Sequence, residues 1–198
     1  MKNSLKSLSL FLAGALCATV LFAVVQGDYL CGGITEAEAA EQDVEQDVEQ
    51  RIKDLGITLS EPAPPVANFV HAVTSGNLVF LAGHGPLRDD GTWMLGTVGR
   101  NIGIDEGRAA ARLTAISLLS SLKAEIGDLN RVKRIVKVHG MVNSDPSFTD
   151  QPKVMNGCSD LLVEIFGDRG KHARAAVGMV SLPFGIPVEI EMVVEIEK

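Results

Sequence analysis

The final stretch of the chain, PVEIEMVVEIEK, alternates with a period of two. Val188, Ile190, Met192, Val194 and Ile196 are separated by Glu189, Glu191, Val193, Glu195 and Glu197. Successive side chains of a strand point to opposite faces, so the first set is expected to face a core and the second to face away from it. Any fold proposed for this chain must therefore contain a sheet with one covered face and one open face.

The rest of the pattern supplies the cover. NFVHAVTSGNLVFLAG reads as two strands joined at Ser75-Gly76-Asn77, a hairpin signal. Residues 105–126 form a helix with a predicted apolar stripe of Ala109, Leu113, Ile116, Leu119, Leu122 and Ile126, and Gly127 stops it. RVKRIVKVHGMV is a strand. PKVMNGCSDLLVEIFG is a second helix with Val154, Cys158, Leu161, Leu162 and Ile165 on one side, and strands follow over 172–181 and 187–197. The order is ββαβαββ, an α+β fold with both helices on one face of a single sheet.

Two segments precede this domain, which is expected over 66–198. Residues 1–27 begin with Lys2 and Lys6 and continue in a nearly unbroken apolar run from Leu8 to Val25. This predicts a signal peptide or an N-terminal membrane anchor that sends the rest of the chain outward, so that the membrane is met only through this segment. Residues 28–65 read as an acidic spacer. Val44, Val48, Ile52 and Leu55 recur there at helical spacing, ending near Gly56, and prolines 62, 64 and 65 then mark the domain boundary.

Charge follows the same division. Residues 36–65 carry nine acids against Arg51 and Lys53, whereas residues 66–198 carry fifteen acids against fourteen bases. A nearly neutral domain lacks the basic face that nucleic acid requires, so no nucleic-acid partner is expected. Arg131, Lys133, Arg134 and Lys137 form the one basic cluster and read as solvated strand-edge charge. The cysteines Cys17, Cys31 and Cys158 have no ligand or disulfide spacing, and His71, His84, His139 and His172 form no ligand-spaced pair, so neither metal nor cofactor is expected.

Arg174, in HARAAVG, is the anomaly among these features. It sits between small apolar residues in a predicted strand, and a guanidinium cannot shed its charge, so an unpaired burial would cost several kcal/mol. Alternation groups it with Ala176, Gly178 and Val180, a set expected on the open face with room beside the guanidinium. Its counter-ion is then either Glu189 or Glu191 on a neighbouring strand, or the carboxylate of a ligand.

FTDQPKVMNGCSDLLVEIFG, HARAAVG and LPFGIPVEIE together resemble the reactive intermediate deaminase family, also called YjgF or Rid and long labelled endoribonuclease L-PSP-like. The resemblance covers roughly residues 50–198. It implies a chorismate-mutase-like fold and a homotrimer whose open sheet faces meet, with ligand clefts between subunits. It also implies a hydrolase of the 2-iminobutanoate/2-iminopropanoate deaminase type, converting enamine and imine acids to 2-oxo acids and ammonia. Arg174 takes the position of the carboxylate-binding arginine, Glu189 that of the acid beside the attacking water, and Gly83, Asn156 and Phe69 those of cleft residues. This chain departs from the pattern where it has Phe69 for a tyrosine, Ala82 for a hydroxyl residue and Ala176 for a cysteine. Those losses leave open a non-catalytic trimeric binder of small carboxylate metabolites, while a ribonuclease reading runs against the neutral charge.

Overall fold

The computed structural model describes residues 47–65 and 67–198; the leader expected over 1–27 and the start of the acidic spacer lie outside the described residues. Among the described residues no helix is long and apolar enough to cross a membrane.

Five strands form one sheet: β1 (Ala72–Ser75), β2 (Leu78–His84), β3 (Val132–Asn143), β4 (Ala173–Met179) and β5 (Val188–Ile196). Their order across the sheet is β1-β2-β5-β3-β4. Only β3 and β4 run parallel. A parallel pair needs a long crossover, which here is the helix between them. The expected hairpin joins β1 to β2, and Gly76 supplies the left-handed φ of 66° that its turn requires. Helix α2 (Ile104–Ile126) and helix α3 (Gln151–Phe166) cover one face, giving the mixed α+β architecture that the element order predicts and the chorismate-mutase-like arrangement that the resemblance implies. Before them, α1 (Val48–Asp54) opens the described chain.

The terminal alternation is realised residue by residue. Val188, Ile190, Met192, Val194 and Ile196 are buried under the helices, while Glu189, Val193 and Glu195 are half-buried and Glu191 is exposed on the other face. On α3, Val154, Cys158, Leu161, Leu162 and Ile165 are all buried. The stripe on α2 is rotated from its expected position. Ala109 is exposed and Leu113 and Ile116 are half-buried, whereas Gly107, Ala110, Ala111, Thr114 and Ala115 turn inward. Small residues face inward here because the two helices nearly touch. A Cβ built on Gly157 of α3 would lie 2.0 Å from the carbonyl oxygen of Arg108 on α2. Gly157→Ala is accordingly expected to overpack a backbone contact, destabilising by about 2–3 kcal/mol and lowering Tm by roughly 5–10 °C in a thermal melt.

The acidic spacer does carry a helix, but it is not a solvated one. Val48 and Ile52 of α1, one turn apart, are 0% and 4% exposed and join the main core. Asn130 clasps the helix start, accepting from the Val48 amide (2.9 Å) and donating to the Asp47 carboxylate (2.9 Å), and Glu49 pairs with Lys123. The boundary expected at residue 66 therefore falls inside the folded unit. Two buried side chains outweigh the acidity of their neighbours, which simply points outward.

The basic cluster is also placed differently. β3 is an interior strand, so Lys133 and Lys137 project from the open face of the sheet and not from its edge, and Lys133 pairs there with Glu195 at 2.9 Å.

Candidate functional site

Residues directly opposite one another across paired strands share a face of the sheet. Arg174 lies opposite Val138, which lies opposite Met192, and these two are 0% and 1% exposed beneath the helices. Arg174 is therefore on the helix-covered face and not on the open face that alternation led us to expect. It avoids burial because β4 is an edge strand, where the guanidinium reaches past the core to the rim of α3. There one nitrogen, Nη1, donates to the Asn156 Oδ1 (3.0 Å) and to the Ser159 Oγ (2.9 Å). The structure thus brings Arg174 and Asn156 together.

Glu189 is elsewhere. It lies opposite Met141, which lies opposite Val177, a row on the open face. β3 separates it from the strand of Arg174, and the two positions are three rows apart in register, roughly 14 Å between Cα atoms at ordinary strand spacing. The cross-strand ion pair between Arg174 and Glu189 or Glu191 is therefore not formed, and Glu191 instead approaches His139 at 3.4 Å. Glu189 has a distinct neighbour in Gly83 at the end of β2. A Cβ on Gly83 would sit 2.1 Å from the Glu189 Oε1, so the carboxyl occupies the space that a side chain would fill. Partial burial, and next the negative charge of Glu191, raise the pKa of Glu189. That is the direction a carboxylate needs to act as a base near neutrality.

This shift has a consequence for stability. A carboxyl whose pKa is raised by folding favours the fold while protonated, and that contribution is lost as pH rises through the folded pKa. Glu189→Gln is expected to raise Tm by roughly 1–2 °C at neutral pH. The gain should shrink as pH falls through the carboxylate range, which melts across a pH series would record.

Phe69 packs against His71, whose ring in turn lies 5.3 Å from that of His84. The strand that follows it is tied to β2 through the Ala82 amide, which donates to the His71 carbonyl at 2.9 Å, and the Phe69 ring meets the His71 ring edge-on at 5.9 Å. Phe69 is 47% exposed. His84 reaches toward α2. Its Nδ1 donates to the Ala82 carbonyl (2.7 Å), its Nε2 accepts from Ser121 (2.7 Å), and burial lowers its pKa. Trp93 stacks on Phe184 at 6.4 Å.

The five candidate residues are thus not brought together in one chain: Arg174 meets Asn156 at the sheet edge, Glu189 meets Gly83 on the open face, and Phe69 contacts His71. The open face also holds a hollow of about 400 Å³ lined by Val73, Phe80, Lys137, His139, Glu191 and Val193 among others, but by none of the five. Two further residues belong to the arginine group. His172 contacts Ser159 (Nε2 to Oγ, 3.0 Å) and the Gly170 carbonyl (Nδ1 to O, 2.7 Å). Spacing carried a signal for both, since Ser159 is one helical turn from Asn156 and His172 is two strand positions from Arg174. Cys158 is adjacent but inert, because burial pushes its thiol up to about 12.

With this geometry in hand, comparison with known proteins is informative. Residues 49–193 match the family model described as "YjgF/chorismate mutase-like, putative endoribonuclease". The chain is 46% identical over 146 residues to protein TCP17 of Trypanosoma cruzi, a match spanning 73% of this chain and 91% of that one. Among solved structures, Atu1372 of Agrobacterium tumefaciens, whose function is unknown, is 40% identical with a TM-score of 0.71, over 79% of this chain and 96% of its own. A protein of Shewanella oneidensis described as a putative endoribonuclease is 30% identical with a TM-score of 0.73, over 76% of this chain and all of its own.

Proposed function

The chain belongs to the YjgF/chorismate mutase-like family, and on that premise we propose that it hydrolyses reactive enamine and imine acids to 2-oxo acids and ammonia, in clefts formed between subunits of a homotrimer. The observation that carries this reading is the split of the candidate site. A carboxylate-binding arginine and a carboxyl with a raised pKa are the two groups the chemistry needs, yet one chain holds them apart. Packing the sheet edge of one copy against the open face of the next joins them. That open face exposes Val73, Phe80 and Val177, at 53%, 46% and 40%, which favours a protein partner over solvent.

In such a cleft Arg174 receives the substrate carboxylate in charge-assisted hydrogen bonds. The imine carbon, already electrophilic, is then held near Glu189. Glu189 takes a proton from water as the water oxygen bonds to the carbon of the protonated imine and the C=N electron pair moves to nitrogen, giving a neutral carbinolamine. Glu189 next returns the proton to the amino nitrogen and takes the hydroxyl proton as the C–N bond breaks and the oxygen forms the ketone, releasing ammonia and the 2-oxo acid. Gly83 leaves room for the carboxyl, and its backbone amide is the donor that would hold the substrate or the water.

A second reading, a trimeric binder of small carboxylates without turnover, is favoured by Phe69, Ala82 and Ala176, which remove three polar contacts of the family pattern. Release of ammonia and 2-oxo acid from freshly generated 2-imino acids separates the two. Multiple turnovers per subunit are expected, and binding of a 2-oxo acid without turnover would establish the binder. The near-neutral domain argues against ribonuclease activity.

A further inference from the structure

We propose that Ser159 and His172 are positioning residues that fix the guanidinium of Arg174 side-on, so that a carboxylate is taken by its Nε and Nη2 edge; this rests on the reading of Arg174 as a carboxylate site. The argument starts at the far end of the relay. The Gly170 carbonyl can only accept, so His172 Nδ1, 2.7 Å away, carries the proton. Nε2 of a neutral ring is then a bare acceptor, and the only proton available to it at 3.0 Å is that of the Ser159 hydroxyl. With its hydrogen committed to His172, the Ser159 oxygen presents lone pairs alone to Arg174 Nη1 at 2.9 Å.

Neutrality of His172 is enforced by its surroundings. Partial burial and then the Arg174 cation both lower its pKa, whereas the hydrogen bond to the Gly170 backbone opposes them. The relay is thus polarised in one direction, from the Gly170 carbonyl through imidazole and hydroxyl to the guanidinium.

The hydrogen count then sets the orientation of the arginine. Nη1 has two hydrogens, and Ser159 Oγ and Asn156 Oδ1 take both. Among the described residues nothing else hydrogen-bonds to Arg174. Its remaining hydrogens are one on Nε and two on Nη2, and the Nε–H with the nearer Nη2–H makes a planar fork on the edge that Nη1 does not share. Such a fork matches the two oxygens of a carboxylate, and pinning it beforehand reduces the ordering cost of binding. An end-on approach through Nη1 and Nη2 would break the contacts to α3.

The test uses the full chain as wild type, Ser159→Ala and Ser159→Thr, with pyruvate as the ligand. Calorimetry is expected to show pyruvate binding weakened about tenfold in Ser159→Ala, and held within about twofold in Ser159→Thr, which keeps the hydroxyl. In ligand-free protein, ¹⁵N NMR should show slow rotation of the Arg174 guanidinium and a single Nδ1–H tautomer of His172, with rotation faster in Ser159→Ala. Unchanged guanidinium rotation in Ser159→Ala, or pyruvate affinity equal to wild type, overturns the relay. A wild-type protein that shows the NMR signature but binds no pyruvate overturns the carboxylate reading and leaves the relay standing, so the two failures are distinguishable.

Discussion

Arg174→Ala is expected to lower kcat/KM toward 2-imino acids by about 100- to 1,000-fold, because it removes the guanidinium that Asn156 holds and leaves the substrate carboxylate desolvated without a partner. The loss falls chiefly on KM if the carboxylate is gripped equally in ground and transition states. Arg174→Lys separates charge from geometry. An ammonium retains the positive point but cannot bind Asn156 and Ser159 while also offering a two-toothed edge, so it should recover no more than about tenfold of the loss. Steady-state kinetics on both variants, with thermal melts to verify folding, measure this. Folding should be little affected, since Arg174 sits at an exposed edge and not in the core. Wild-type kcat/KM in Arg174→Ala would remove the arginine from the mechanism.

Glu189→Gln acts on the other half of the chemistry. Loss of a positioned base lowers kcat by about 10²- to 10⁴-fold while KM changes little, since glutamine fills the same space against Gly83. The pH profile makes the assignment specific. Glu189 must be ionised to take a proton from water, so wild-type kcat should fall as pH drops through its pKa. Burial and Glu191 place that acid limb above the ordinary carboxylate range. In Glu189→Gln the limb should vanish from the residual activity. An acid limb that persists unchanged would assign the base to another group. The same substitution should raise Tm at neutral pH, and a residue that costs stability yet is required for turnover is what a functional carboxyl should look like.

How much of this was legible in the sequence differs from element to element. The alternation ending at Ile196 and the apolar side of α3 were readable because one face of each is uniformly apolar and buried. The same alternation misplaced Arg174. Period two divides a strand into two sets but does not say which set the helices cover, and with Ala and Gly in one set and Ala, Val and Met in the other, β4 offers little contrast. Its face is decided by register with β3, a long-range fact that pairs Arg174 with the buried Val138. Packing of α1 was hidden for a related reason. Two apolar residues among many acids read as solvated, and only the partner surface around Leu129 and Asn130, some eighty residues away, makes Val48 and Ile52 core. Arg174 stood out by its charge among small apolar residues, whereas the roles of Asn156, Glu189, Gly83 and Phe69 came from the family pattern, which lists positions without saying which of them one chain can bring together. Ser159 and His172 lie within the quoted motifs without an assigned role, and their part emerged from their distances.

The central claim, that each site is completed by two subunits, is tested most directly by mixing the two inactive variants. Arg174→Ala retains an intact Glu189 group, and Glu189→Gln retains an intact Arg174 group. When the two are co-expressed in equal amounts and assemble at random into closed rings, about one cleft in four combines the intact half of each. The account predicts recovery of about one quarter of wild-type kcat per subunit in the mixture, from parents that are each nearly inactive. Activity no higher than that of the two variants assayed separately, in oligomers verified to contain both, would contradict it.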